Sequence, residues 1–386
     1  MKQSRPVQLT IPKSAPPKYN RQGPYLVFLA SYLLLWLFLL GACDGANTTQ
    51  TVSDDEPAIE AFLASAPVAQ NKTQPALPTP AAGLASRIPL PEIEPLQVVG
   101  DINTAGSASL LGLTERLYHR FVADGYAGFI KLEELSSSDA FAVFCRGGTD
   151  LVAATRPLRQ EELDSCLQFG RTPLVFPVGT DALVVVVNHE NDFIQDVTLP
   201  DLAALFKAKR WSDVNPAWPR RKIVRLLPPI TADDFLFFAD TVFAGNSRLL
   251  ETAPNSTFLG DATEIVQRLQ DNPDAIGLLN YTAYNERRHA LHLVTIGGLQ
   301  PETGTMQDGT YPLRRPLLLY SAPEVLQNKI QLGGFLTFYL TYVNEEIRQE
   351  GKFPLVRAEL DRSRLNLLLG TANEAYLDDL REATTP

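Results

Sequence analysis

Residues Cys145–Pro157, CRGGTDLVAATRP, place a short apolar run, Leu151 to Ala154, between a carboxylate at Asp150 and a hydroxyl and guanidinium at Thr155 and Arg156. Four apolar residues bounded by Gly-Gly and Pro read as a strand buried on both faces, the habit of parallel sheets. The polar groups at its carboxyl end fall where open α/β sheets hold ligands. A guanidinium in that place can fork onto an oxyanion. Asp150 can form a structural pair with Arg156, or it can accept a hydrogen bond from a protonated ligand oxygen.

Working outward, RQEELDSCLQFG (159–170) reads as a helix stopped by Gly170. Upstream, LQVVGDI (96–102) reads as a strand, and SLLGLTERLYHRFVADGY (109–126) as a helix with Leu110, Leu113, Leu117 and Phe121 on one face. FAVFC (141–145) reads as a strand or the approach to one. Downstream, ALVVVVNH (182–189) has the continuous apolar character of a central strand. A helix over 199–208, the strand KIVRLL (222–227) and helices over 233–243 and 261–271 follow. AIGLLN (275–280), LHLVTI (291–296) and RRPLLLYSA (314–322) read as strands before a long helix near 329–350. Alternation of this kind predicts an α/β fold with mainly parallel pairing.

Three strand-to-helix switches carry polar groups. In DINTAGSASLLGLTERL (101–117), Gly106 and Ser107 precede the helix, and Ser107 or Ser109 can supply a cap. The unpaired N–H groups and the dipole of such a helix start favour an anion. The second switch is Thr155-Arg156-Pro157. The third is LLPPITADDFLFFADTVF (226–243), where Pro228-Pro229 break the strand and Thr231 with Asp233 or Asp234 opens a helix, capping being the plain role for an Asp there.

Taken together, these stretches resemble the phosphate-binding, PstS-type class of periplasmic substrate-binding proteins over roughly 98–345. AGSASL (105–110) resembles that family's Gly-Ser-Ser-Thr helix start. FCRGGTDLVAATRPLRQEELDSC (144–166) resembles its Asp-containing strand, Ser-Arg-Pro and following helix. VGTDALVVVVNHEN (178–191) resembles a crossover strand, and TLPDLAALFKAKRWSDVNPAWP (198–219) resembles the helix with the Trp-Ser-Asp motif. AIGLLNYTAY (275–284) and YPLRRPLLLY (311–320) resemble the return crossings. The resemblance implies a type II two-domain clamp with two crossover segments. Domain 1 would comprise residues 95–182 and 293–370, domain 2 residues 183–292, and 371–386 would be a tail.

The family's roles then fall on Gly106, Ser107, Ala108 and Ser109 at the first helix start. Thr155 and Arg156 would bind ligand oxygens, and Asp150 would accept from protonated phosphate and so exclude fully ionised sulfate. Thr231, Ala232 and Asp233 would form the far jaw. The implied partners are phosphate or a related oxyanion and the membrane subunits of an ABC permease, with no cofactor or metal, for a monomer. The far jaw departs from the family's Ser-Gly-Thr: Asp233 stands where a hydroxyl is expected, and Ala108 replaces a hydroxyl residue in the first run. Either Asp233 points away as a cap, or phosphate binding is weakened or the ligand differs. A sensor or surface interaction module on the same fold is the alternative function. The four histidines, 119, 189, 289 and 292, are scattered, with no catalytic or metal-ligand arrangement among them.

The ends of the chain set its location. Residues 1–42 hold five basic residues and no acid, which leaves −15 for the rest of a chain whose net charge is −10. An acidic body argues against nucleic acid as a partner. PYLVFLASYLLLWLFLLGAC (24–43) has the layout of an export signal. It reads either as a lipoprotein signal, with LGAC (40–43) resembling a lipobox and Cys43 lipidated, or as one uncleaved spanning helix. Both place the body outside the cytoplasm and at the membrane. Residues 44–94, rich in Ala, Thr, Pro, Asn and Gln, read as a disordered linker. With Cys43 lipidated, the remaining cysteines, Cys145 and Cys166, make an even pair suited to a disulfide outside the cytoplasm; two buried thiols are the alternative.

Overall fold

In the computed structural model, residues 88–372 are described. The export segment with Cys43, the linker up to residue 87 and the tail beyond residue 372 lie outside them. Among the described residues, no helix is long and apolar enough to cross a membrane.

The first half of the fold interleaves β1 (Ile102–Gly106), α1 (Ala108–Ala123), β2 (Ile130–Glu134), α2 (Ser137–Cys145), β3 (Leu151–Ala154) and α3 (Gln160–Gln168). β1 pairs in parallel with both β2 and β3. As the periodicity predicts, Leu110, Leu113, Leu117 and Phe121 of α1 are fully buried. The FAVFC stretch is not a strand but the last turns of α2. Ser136 caps that helix by accepting from the Asp139 N–H, and Ala140, Phe141, Phe144 and Cys145 turn inward at helical spacing. The strand beside it is the largely exposed Ile130–Glu134, whose polar sequence hides it. The sulfurs of Cys145 and Cys166 are bonded, which ties α2 to α3.

β4 (Leu174–Asn188) is 15 residues long and runs through both halves of the molecule. Its first part pairs antiparallel with β10 (Arg314–Ser321), which returns beside it, and β10 in turn pairs antiparallel with β3. The second part of β4 pairs with β8 (Ala275–Asn280) and β9 (Leu291–Ile296). β6 (Val224–Leu227) lies parallel between β8 and β7 (Ser256–Phe258), and β5 (Asp196–Val197) edges β9. Parallel pairing thus holds among β1–β3 and among β6–β8, and antiparallel pairing marks where the chain crosses. The second half also carries α4 (Leu199–Leu205), α5 (Asp233–Phe243), α6 (Ser247–Glu251), α7 (Ala262–Gln270), α8 (Tyr281–Glu286) and α9 (Thr303–Gln307). After β10, helices α10 (Pro323–Asn328), α11 (Ile330–Gln349) and α12 (Arg357–Thr371) pack back on the first half.

The buried apolar residues divide accordingly. One cluster joins α1, β3, the start of β4, β10 and α11. Beyond Ala182, β4 is buried on both faces: Val185 and Val187 face one cluster, Val184 and Val186 the other. Two expected boundaries move. Val294, Ile296, Met306, Tyr311 and Leu313 pack in the second lobe, so its return falls at β10 and not at residue 293. Leu90 and Ile93 pack on the first-lobe core, so the folded body begins before residue 95.

Candidate functional site

The carboxyl ends of β1, β2 and β6 open onto one cleft of about 500 Å³, lined from the first lobe by Ser107, Ala108, Ser109 and Ser136 and from the second by Thr231, Ala232, Asp233 and Asp234. Three helices, α1, α2 and α5, begin there, and each points into it the N–H groups its own helix leaves without a partner and the positive end of its dipole. Gly106 makes the first turn possible. A Cβ on it would fall 2.0 Å from the Ala153 carbonyl oxygen, so only glycine lets β1 lie this close to β3. Ser107 is the N-cap residue of α1 and is buried, and its side chain makes no cap bond.

The far jaw does not behave as a cap. The N-cap residue of α5 is Ala232, without a side-chain cap bond, and Asp233 and Asp234 fill the first turn. Both carboxylates reach away from their own helix. Asp233 Oδ2 accepts from Ser137 Oγ at 2.7 Å and from Thr155 Oγ1 at 3.2 Å. The Ser137 N–H donates to both Asp233 oxygens, at 3.1 and 3.2 Å. The Ser137 hydroxyl accepts in turn from the Thr155 N–H at 3.2 Å. An anionic group from the second lobe therefore sits on the N-terminus of a first-lobe helix, held by hydroxyls and an amide. The expectation that an Asp here caps its own helix is corrected: the first lobe offers better donors.

Asp234 has a different partner. Arg315, fully buried on β10, donates from Nη1 to Asp234 at 2.5 Å and from Nη2 to Ser109 Oγ at 2.8 Å. Its Nε and Nη2 hold Asp181 of β4, also fully buried, at 3.2 and 2.7 Å. Burial alone would depress the Arg315 pKa, but the Asp234 and Asp181 carboxylates outweigh it and hold the group above its ordinary value. Both crossing strands thus contribute a charged residue here: Asp181 lines the cleft, and Arg315 lies buried behind Asp234 and Ser109.

Two expected ligand residues lie elsewhere. Asp150 precedes β3, while Thr155 follows it. At ~3.3 Å per residue the two ends stand on the order of 16 Å apart. Asp150 accepts from the Asn103 N–H at 2.9 Å and pairs with Lys329 at 2.6 Å, at the end of the sheet away from the cleft. It pairs neither with Arg156 nor with the cleft. Arg156 forks onto Glu162 of α3 at 2.6 and 2.9 Å and donates to Ser138 Oγ at 2.8 Å. Burial opposes its charge, yet Glu162 raises its pKa above the usual guanidinium value. Its guanidinium is used in fastening α3 to the start of α2. Thr155, by contrast, points its hydroxyl at the Asp233 carboxylate.

Ser137, Asp181, Asp234 and Arg315 were not among the expected site residues. The Ser136-Ser137-Ser138-Asp139 run carries the signal for the first of them, a Ser cap with an acid three residues on. Nothing local marks the Asp181–Arg315 pair, whose members are 134 residues apart.

Comparison with known proteins agrees with this geometry. The model of the PBP superfamily domain matches residues 91–342. A phosphate-binding protein PstS of Staphylococcus saprophyticus is 27% identical over 281 residues, covering 70% of this chain and 86% of the relative. PstS of Staphylococcus aureus (strain USA300) is 28% identical over 248 residues, covering 62% and 74%. Among solved structures, an ABC-type phosphate transport receptor from Vibrio cholerae superposes with a TM-score of 0.56 at 17% identity, covering 65% of this chain and 99% of the other. A "possible phosphate binding protein" from Planctomyces limnophilus gives 0.59 at 21% identity, covering 71% and 100%. The chain belongs to the PBP superfamily, and the curated relatives it is similar to are phosphate-binding proteins PstS.

Proposed function

We propose that the chain is an extracytoplasmic solute-binding protein that captures inorganic phosphate or a related oxyanion for an ABC transporter. One observation carries the reading: three helix N-termini converge on one cleft, and one of them, that of α2, already holds an anionic group through the Ser137 N–H and hydroxyl. The names of the curated relatives supply the ligand class. The cradle would use Ser107, Ser109, Ser137, Thr155 and Thr231, with the small Gly106, Ala108 and Ala232 giving access to backbone N–H groups. Neutral donors fixed by the fold need little reorganisation when an anion arrives. The protein would act as a monomer at the membrane, tethered through residues 1–43, and would hand its ligand to permease subunits without catalysing a reaction.

Calorimetric titration with phosphate, arsenate and sulfate tests this. Saturable heat with phosphate supports the reading, and none with any of the three overturns it. A second reading is a ligand sensor or interaction module without transport. It is favoured by the surplus of acid at the cleft, whose described lining holds Glu134, Asp181, Asp233 and Asp234 against Lys352, with Arg315 buried behind Asp234. Growth on limiting phosphate separates the two, because loss of a transport receptor impairs growth and loss of a sensor alone leaves uptake intact.

A further inference from the structure

We propose that Asp233 is a built-in occupant of the anion seat: the clamp closes on its own carboxylate, and a free oxyanion binds only by displacing it. This rests on the oxyanion-capture reading and concerns the same cleft. Three observations carry it. First, the carboxylate takes up the first-lobe donors that face it, namely the Ser137 N–H and hydroxyl and the Thr155 hydroxyl. An oxyanion on the α2 N-terminus needs those same donors. Second, the contact spans the lobes. Asp233 opens α5 in the second lobe, while Ser137 and Thr155 belong to the first, so the bonds fasten one jaw to the other. Asp234 reinforces them through Arg315, which also holds Ser109 of α1.

Third, among the described residues the cations beside the seat are already engaged, Lys352 of the cleft lining lying 3.6 Å from Glu350. Arg156 is taken by Glu162 and Ser138, and Arg315 by Asp181 and Asp234. Phosphate and the Asp233 carboxylate together would put like charges side by side, which favours one occupant at a time. A competitor carried on the jaw itself works at a fixed local concentration. The apparent affinity for free ligand then falls by the fraction of molecules whose seat is open. If the seat is open in about one molecule in a hundred, affinity falls about a hundredfold.

The test uses the full-length protein and three variants: Asp233→Thr, which offers a hydroxyl in place of the charge; Asp233→Asn, which keeps shape without charge; and Asp233→Ala. Circular dichroism checks that each folds. Hydrogen exchange without added anion reads the latch directly. The segment from Ser137 to Thr155 should be protected in the native chain and exchange at least tenfold faster in Asp233→Ala. Titration with inorganic phosphate reads competition, and Asp233→Thr should bind on the order of a hundredfold more tightly than the native chain. Equal exchange in native and Asp233→Ala proteins overturns the latch, and equal phosphate affinity in native and Asp233→Thr proteins overturns the competition. If Asp233→Ala loosens the segment while phosphate, arsenate and sulfate bind none of the proteins, the latch stands and the oxyanion-capture reading falls.

Discussion

Replacing Arg315 by Met should destabilise the protein far more than neutralising its part-exposed carboxylate partner Asp234. Arg315 and Asp181 are fully buried, and Asp234 is 20% exposed. At an effective dielectric of about 20, unit charges ~4 Å apart attract by about 4 kcal/mol, and like charges ~6 Å apart repel by about 3 kcal/mol. Arg315→Met removes two attractions and leaves two carboxylates facing each other. Asp234→Asn removes one attraction and also relieves the repulsion, which leaves a neutral Arg315–Asp181 pair. Breaking a buried pair typically costs about 3–5 kcal/mol. The expected losses are therefore about 4 kcal/mol for Arg315→Met and about 1 kcal/mol for Asp234→Asn. Urea unfolding followed by circular dichroism, with the m-value checked for constancy, measures both. Losses within 1 kcal/mol of each other would refute the reasoning, because the guanidinium would then not be the element that makes two acids tolerable at the cleft floor.

Three further outcomes follow from other parts of the fold. Among the described residues, buried Arg225 has no carboxylate partner and donates to the carbonyls of Leu205, Ala208 and Pro254; burial pushes its pKa down to about 10. Arg225→Lys, a compact ammonium that cannot span these carbonyls, should cost about 2 kcal/mol in the same unfolding assay. Removing the Cys145–Cys166 bond, which closes a separation of 21 residues, should cost about 3 kcal/mol in the chain-entropy model, seen as a lower Tm for the double Ala variant or on reduction. Asp150→Asn should reduce stability by about 1 kcal/mol through the part-exposed Lys329 and leave the relative affinities for phosphate and sulfate unchanged; an altered ratio would place Asp150 at the ligand after all.

The architecture was legible because its signals are local. The apolar face of α1, the continuous apolar run of β4 and the breaks at Gly170 and Pro228-Pro229 each mark an element within a few residues. Two misreadings have physical causes. FAVFC is apolar enough for a strand, yet a Ser cap four residues upstream of Ala140 decides for helix. The lobe boundary lies later than residue 293 because LHLVTI reads as a strand wherever it pairs, and only packing shows that it continues the second lobe.

The site was legible to a lesser degree, and its polar residues show why. A hydroxyl beside a helix start announces a donor, so the positions of Ser107, Ser109 and Thr231 on the cleft wall, and of Thr155 against Asp233, follow from the sequence. Charged residues announce nothing until their partners are known, and each partner here is distant in sequence. Asp150 and Arg156 flank one short strand and invite pairing, but residues beyond opposite ends of a strand cannot meet, so Lys329 and Glu162 take them. Asp233 invites the role of cap, but its own helix leaves its carboxylate free, and the first lobe supplies an amide and two hydroxyls. The departure from Ser-Gly-Thr to Thr231-Ala232-Asp233 therefore has a consequence beyond repulsion. A carboxylate lost into solvent would only weaken ligand binding. Seated on α2, it also contributes to closing the cleft, and one substitution changes both what the clamp holds and when it is shut.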